Sequence, residues 1–142
     1  MKTLLNLSLI CTLIVAMSCD ETKKVVGSAE EVHLTGAYDV KMLNNNQIEN
    51  NITIGFNPIS KQINGDAGCN SYFGDYDEVL FNLTFSGMGS TKKMCQPDSV
   101  MKTEQEYLSA LSNVGNYRLV NRVLTLYAKS NNAIVISAEK QE

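Results

Sequence analysis

Between residues 36 and 138, apolar and polar positions mostly alternate in short runs separated by turn-forming residues. Residues 37–43 (Ala-Tyr-Asp-Val-Lys-Met-Leu) alternate well enough for a first strand. The Asn-rich stretch 44–51 suits a hairpin loop, because Asn tolerates the left-handed backbone that tight turns require. Ile52, Ile54 and Phe56 fall on one face of a second strand, which Asn57-Pro58 ends. Lys61 to Gly65 opens a third strand, and Gly65, Gly68 and Gly74 punctuate the stretch beyond it. Val79, Phe81, Leu83 and Phe85 keep a period of two and predict the clearest strand of the chain. Strands at 117–120, 123–128 and 133–138 complete the set, with turns at Asn121-Arg122 and Ser130-Asn131-Asn132.

Only one stretch changes to helical spacing. Val100, Glu104, Tyr107, Leu108, Leu111 and Val114 recur at three and four, behind Pro97 and a capping Asp98. The apolar members form the buried stripe, and Glu104 is expected at its margin. Many short strands and one helix predict a mainly β (α+β) domain. Its expected form is a small antiparallel β-barrel-like or strongly curved sheet, with one packed α-helix near residues 98–113.

The first residues have a different pattern. Lys2 gives a positive start, residues 4–15 are apolar, and Ala16-Met17-Ser18-Cys19 leads into a polar run. That layout matches an export signal, and the apolar run falls short of the roughly 20 residues that span a bilayer. Small residues before a cysteine suit lipoprotein processing, with Cys19 becoming the lipidated first residue. Two other readings stay open: ordinary secretion at an A-x-A-like site, leaving Cys19 a free thiol, and an uncleaved anchor. The expected organisation is a signal peptide at 1–18, a polar tether at 19–32, a domain at 33–138 and a tail at 139–142. The expected location is the cell envelope, lipid-anchored to a bacterial membrane and facing the periplasm or the surface.

Processing changes the cysteine count. Cys11 leaves with the leader and lipid consumes Cys19, so Cys69 and Cys95 remain as an even pair where disulfides are permitted. A bridge would close a loop of about 26 residues and stabilise by roughly 3–4 kcal/mol. The alternatives are two buried thiols or, with Met88, Met94 and Met101 nearby, a soft Cu(I) site.

Charge and chemistry exclude more than they suggest. Without Lys2 the chain carries 11 basic and 15 acidic residues, a net charge of −4, and no Lys/Arg block beyond Lys92-Lys93. Nucleic-acid binding is therefore not expected. His33 is the single histidine and lies at the domain's edge, a poor base for a nucleophilic triad. Asp75, Asp77 and Glu78 lack the twelve-residue calcium-loop pattern and suit a solvated turn. No cofactor and no catalytic residue is expected.

Gly65-Asp66-Ala67-Gly68-Cys69-Asn70-Ser71-Tyr72-Phe73-Gly74-Asp75-Tyr76 resembles the signature of the META domain family, the HslJ-like lipoproteins. Gly89-Ser90-Thr91-Lys92-Lys93-Met94-Cys95 resembles its second, small-Ser/Thr-basic-x-Met-x-Cys segment. The resemblance runs from about His33 to Ala138. It departs from the family at Tyr38, commonly Trp there, and at Lys92-Lys93, which replaces an Arg-containing pair. Gly68, Cys69, Asn70, Gly74, Thr91, Met94 and Cys95 are the motif positions. The glycines and Asn70 are best understood as backbone specialists. The resemblance implies a compact β-barrel-like domain with a helix, and no enzymatic reaction. It also implies an envelope role in protein interaction, stress or antibiotic tolerance; the alternative is a small-ligand or copper-binding barrel.

Overall fold

The computed structural model describes residues 33–142; the expected signal peptide, Cys19 and the expected tether lie outside the described residues. The described elements are β1 (Gly36–Leu43), β2 (Asn46–Gln47), β3 (Thr53–Asn57), β4 (Gln62–Asp66), β5 (Ser71–Val79), β6 (Asn82–Ser90), α1 (Asp98–Ser112), β7 (Val114–Val120), β8 (Val123–Ala128) and β9 (Ile134–Lys140). Each of β3 to β8 pairs with the next strand, β1 pairs with β3, and β9 returns to β1. Eight antiparallel strands thus close a barrel, with the two-residue β2 appended to β1. Closure removes the exposed edges that an open sheet would present.

The weakest seam lies between β6 and β7. It is held by the Asn82–Asn116 pair and by the Tyr117 N–H, which donates to the Phe81 carbonyl at 2.9 Å. The helix intervenes between these two strands in the chain and packs on β6, burying Glu104, Tyr107, Ala110 and Leu111. Inward positions alternate along the strands, with Ile54 and Phe56 on β3 and Tyr72 and Tyr76 on β5. Leu83, Leu124, Leu126 and Ile136 are fully buried, and each such side chain contributes roughly 1.5–3 kcal/mol.

Two tyrosines join helix to barrel. The Tyr72 hydroxyl donates to the Thr53 carbonyl at 2.9 Å and lies 2.7 Å from the Tyr107 hydroxyl. A carbonyl can only accept, so Tyr107 is the donor to Tyr72. Burial drives the pKa of both phenols upward. A folded-state pKa above the unfolded value of about 10 means that the native state retains protons the unfolded chain loses. Stability is therefore complete below about pH 10 and falls as pH rises further. Alkaline titration should show tyrosinate absorbance from these residues only as circular dichroism reports unfolding; ionisation within an intact fold would refute this.

Three expectations are corrected. The period-two run 79–85 is not one strand: Val79 ends β5, Leu80-Phe81 turn, and Leu83 and Phe85 belong to β6. Asp98 does not cap the helix; Pro97 holds that position without a side-chain hydrogen bond, and Asp98 adds negative charge to the first turn. The last strand continues to Lys140, into the expected tail.

The turns also differ in chemistry. Two-residue hairpin loops at Asn44-Asn45 and Asn121-Arg122 begin with Asn in the left-handed region, as such turns prefer. Leu80 opens the Leu80-Phe81 loop with φ +57°, a conformation that an Asn or Gly holds more readily. Leu80→Gly should raise stability by about 1 kcal/mol, or the melting temperature by roughly 4 °C. A lower melting temperature would show that the turn is not strained.

Candidate functional site

The motif residues converge at the corner between β4 and β5. There the chain turns through Gly68 at φ +102°, a backbone that a side chain would strain. Gly68 donates its N–H to Asp66 Oδ1 at 2.7 Å, and Ala67 donates to the Asn70 carbonyl at 2.8 Å. Gly74 serves differently: its φ is ordinary, and a Cβ there would meet Met88 Sδ at 2.4 Å. One glycine supplies a turn and the other supplies space.

Asn70 is 1% exposed and every polar atom of its side chain is engaged. Its Oδ1 accepts from the Lys93 N–H at 2.6 Å and from the Thr91 hydroxyl at 2.7 Å. Its Nδ2 donates to the Lys93 carbonyl at 3.2 Å and to Glu104 Oε1 at 2.9 Å. The Asn70 N–H donates to Glu104 Oε2 at 2.7 Å. The amide thus takes the place of a strand partner for the Lys93 backbone, just beyond the Thr91 N–H bond to the Ser71 carbonyl, and also engages the helix. Cys69 and Cys95 form a disulfide beside it, with Cα atoms 5.9 Å apart, joining the same two segments a second time.

This geometry overturns the expected place of Glu104 at the stripe's margin. It is 7% exposed and meets Asn70 rather than solvent. The bridge also removes the chemistry of the copper reading, because disulfide sulfurs are not thiolate ligands. Met94 is 95% exposed, and no group of three His, Cys, Asp or Glu residues suited to a metal occurs among the described residues. A Cu(I) titration of the oxidised protein should show no stoichiometric uptake; one equivalent bound would restore the copper reading.

A second polar group lies toward the opposite end of β5. Glu78 Oε1 accepts from the Leu34 N–H at 3.2 Å and from the Tyr117 hydroxyl at 2.6 Å. Glu78 Oε2 faces His33 Nδ1 and Lys61 Nζ, each at 3.6 Å, without a hydrogen bond. The buried hydroxyls of Tyr38 and Tyr76 are likewise without hydrogen-bond partners. Burial raises both phenols and the Glu78 carboxylate adds to the rise; the nearby Thr35 amide opposes it at Tyr38 without a bond of good geometry. Glu78 thus secures the point where the chain enters the barrel. Asp75, Asp77 and Glu78 do not form the expected turn: they lie on β5, where Asp75 and Asp77 face out and the Glu78 side chain is buried.

The outer wall carries pockets of about 280–360 Å³. One of them is lined by Phe81, Tyr117, Arg118 and Tyr127. None combines a nucleophile with a histidine, and His33 lies near Glu78 instead. Glu104, Glu78 and Tyr107 escape sequence reasoning because their partners are distant in the chain. Only the spacing of Tyr107 on the helical stripe hints at its role.

The fold has solved relatives. A protein from Burkholderia xenovorans, known by NMR, superposes with a TM-score of 0.62 at 19% identity, covering 76% of this chain and 83% of that one. A second NMR structure gives 0.58 at 19% identity, covering 73% and 87%. A DUF4847 family protein from Bacteroides vulgatus, a crystal structure, gives 0.53 at 17% identity, covering 80% and 99%. At these identities the likeness is one of fold. No curated protein matches the chain. The META domain model matches residues 29–141, a span that includes β1 to β9. With its motif corner, disulfide and closed barrel, the chain belongs to the META domain family.

Proposed function

We propose that this chain is a membrane-anchored, non-enzymatic envelope lipoprotein, acting through protein interaction in envelope stress or antibiotic tolerance. The META domain family is not a known enzyme family. The observation that carries the reading is the saturation of the motif: Asn70, Thr91, Glu104 and both cysteines are engaged with one another or with backbone. Residues so engaged build a surface and leave no free nucleophile or base for substrate. That surface includes the loop at 91–97, with Met94 almost wholly exposed at its crest. A flexible thioether side chain suits an adaptable protein contact.

The anchor is supplied by Cys19 after loss of residues 1–18. Acyl chains contribute about 0.8 kcal/mol per buried CH₂, and the two or three on a bacterial lipoprotein exceed what stable attachment requires. A photo-crosslinker at Met94, used in living cells, tests the interaction. The expected result is one recurrent envelope partner, lost when Asn70→Ala loosens the loop. Capture of abundant proteins alone, unchanged by Asn70→Ala, would refute it.

A further inference from the structure

We infer that the end of the barrel where the chain enters rests on the lipid bilayer, with the Val79-Leu80-Phe81 hairpin tip inserted among the lipid headgroups. The inference rests on the lipid-anchor reading. Pairing defines this end: Gly36 faces Phe56, Tyr76 bonds to Lys61, Val79 faces Asn82, Val120 faces Val123, and Tyr38 faces Lys140. The entry segment at His33-Leu34, the turn at 57–61, the tip and the Asn121-Arg122 turn therefore lie together.

Among the described residues, six of the ten exposed large apolar side chains are at this end: Ile59, Val79, Leu80, Phe81, Val120 and Val123. Ile59 is 95% exposed, Leu80 66% and Phe81 58%. Three consecutive exposed apolar residues on a hairpin tip are unusual for a surface facing only water. Leu80 adds an independent sign, for it occupies the left-handed position that Asn takes at both other two-residue loops. An apolar side chain kept where Asn or Gly would be more stable points to a contact outside the fold.

Lipid fits this surface by chain length. Residues 20–32 separate Cys19 from His33, and thirteen residues reach at most about 45 Å even when extended. The segment enters the barrel where Glu78 holds Leu34, two residues from Leu80. The tip is thus on the end of the barrel that the tether joins. Nearby charge is mixed, with Lys61, Arg118, Arg122 and Lys140 against Asp77, Glu78 and Glu139. Apolar insertion rather than anionic attraction therefore dominates, and each such side chain entering lipid favours the bound state about tenfold or more. The motif corner lies at the other end of the nine-residue β5, about 25–30 Å away, facing the aqueous side.

The test uses the full chain expressed in bacteria, purified from membranes and reconstituted in phosphatidylethanolamine–phosphatidylglycerol vesicles. Leu80→Cys carries a polarity-sensitive fluorophore, and Ser130→Cys, at the opposite end, is the control. Intact mass reports acylation of each sample. The expected result is an acylated protein with several-fold brighter, blue-shifted emission at position 80, water-like emission at 130, and little change in high salt. Acylated protein with water-like emission at both positions would overturn the inference and leave the anchor standing. Unacylated protein that still gives dry emission at position 80 on vesicles would support the inference and remove the anchor. Unacylated protein with both positions wet would overturn both. A second reporter at Phe81→Cys guards against a local effect of altering the strained turn, and must agree with position 80.

Discussion

Replacing Asn70 with Ala should destabilise the domain by about 3–5 kcal/mol, the largest effect expected of any single side chain outside the apolar core. The size of the loss reflects the groups left behind. The Lys93 N–H and carbonyl, the Thr91 hydroxyl and Glu104 Oε1 would all lose a partner; Asn70 and Glu104 are buried, whereas Thr91 and Lys93 lie on an exposed segment where water replaces part of the loss. Each buried group left unsatisfied costs about 1–3 kcal/mol, reduced where water enters or the loop relaxes. A domain with about 5–15 kcal/mol in total would lose a large share. Asn70→Asp separates hydrogen bonding from shape. It keeps the outline but places a second carboxylate against Glu104 and removes the Nδ2 donor. It should therefore be at least as destabilising as Ala near neutral pH, and recover in part as pH falls and a proton bridges the pair. Urea denaturation measures both variants; a loss below about 1 kcal/mol for Asn70→Ala would mean that the corner is not what holds the loop.

Cys69→Ser with Cys95→Ser should lower stability by roughly 3–4 kcal/mol, the chain-entropy value for a loop of 26 residues. A reductant should weaken the parent protein to a similar degree and leave the double variant unchanged. The two predictions are coupled, because the disulfide and Asn70 tie the same corner to the same loop. Once either is removed, the loop moves and the other loses part of its hold, so the combined variant should lose less than the sum. Strict additivity would indicate that the two ties act on separate segments.

Much of the barrel is legible from side-chain alternation. The strands at 37–43, 52–56, 117–120 and 123–128 expose one face to the core, and their turns carry Asn where the backbone goes left-handed. Alternation misleads at Val79 to Phe85 for a physical reason. A two-residue loop interrupts the run without breaking its period, so exposed Val79 and Phe81 imitate the buried face that begins at Leu83. β5 is hidden in turn, because its one glycine, Gly74, reads as punctuation although it only makes room for Met88. Counting cysteines offers the Cys69–Cys95 pair beside free thiols and a copper site, and the fold shows the bridge. Glu104 cannot be placed, since helical spacing assigns a charged residue to the rim unless a partner 34 residues away is known. The motif marks Asn70 as important; only the fold shows that it replaces a strand and holds a helix.

In the proposed role, the Cys19 anchor ties the domain to a membrane, and everything said of that role depends on it. Intact-mass measurement of the protein recovered from a bacterial membrane fraction is the decisive test. The expected species begins at Cys19, heavier than its sequence by the mass of its acyl chains and lighter by two hydrogens for the Cys69–Cys95 bridge. A chain with unmodified Cys19, or one that retains residues 1–18, would contradict it.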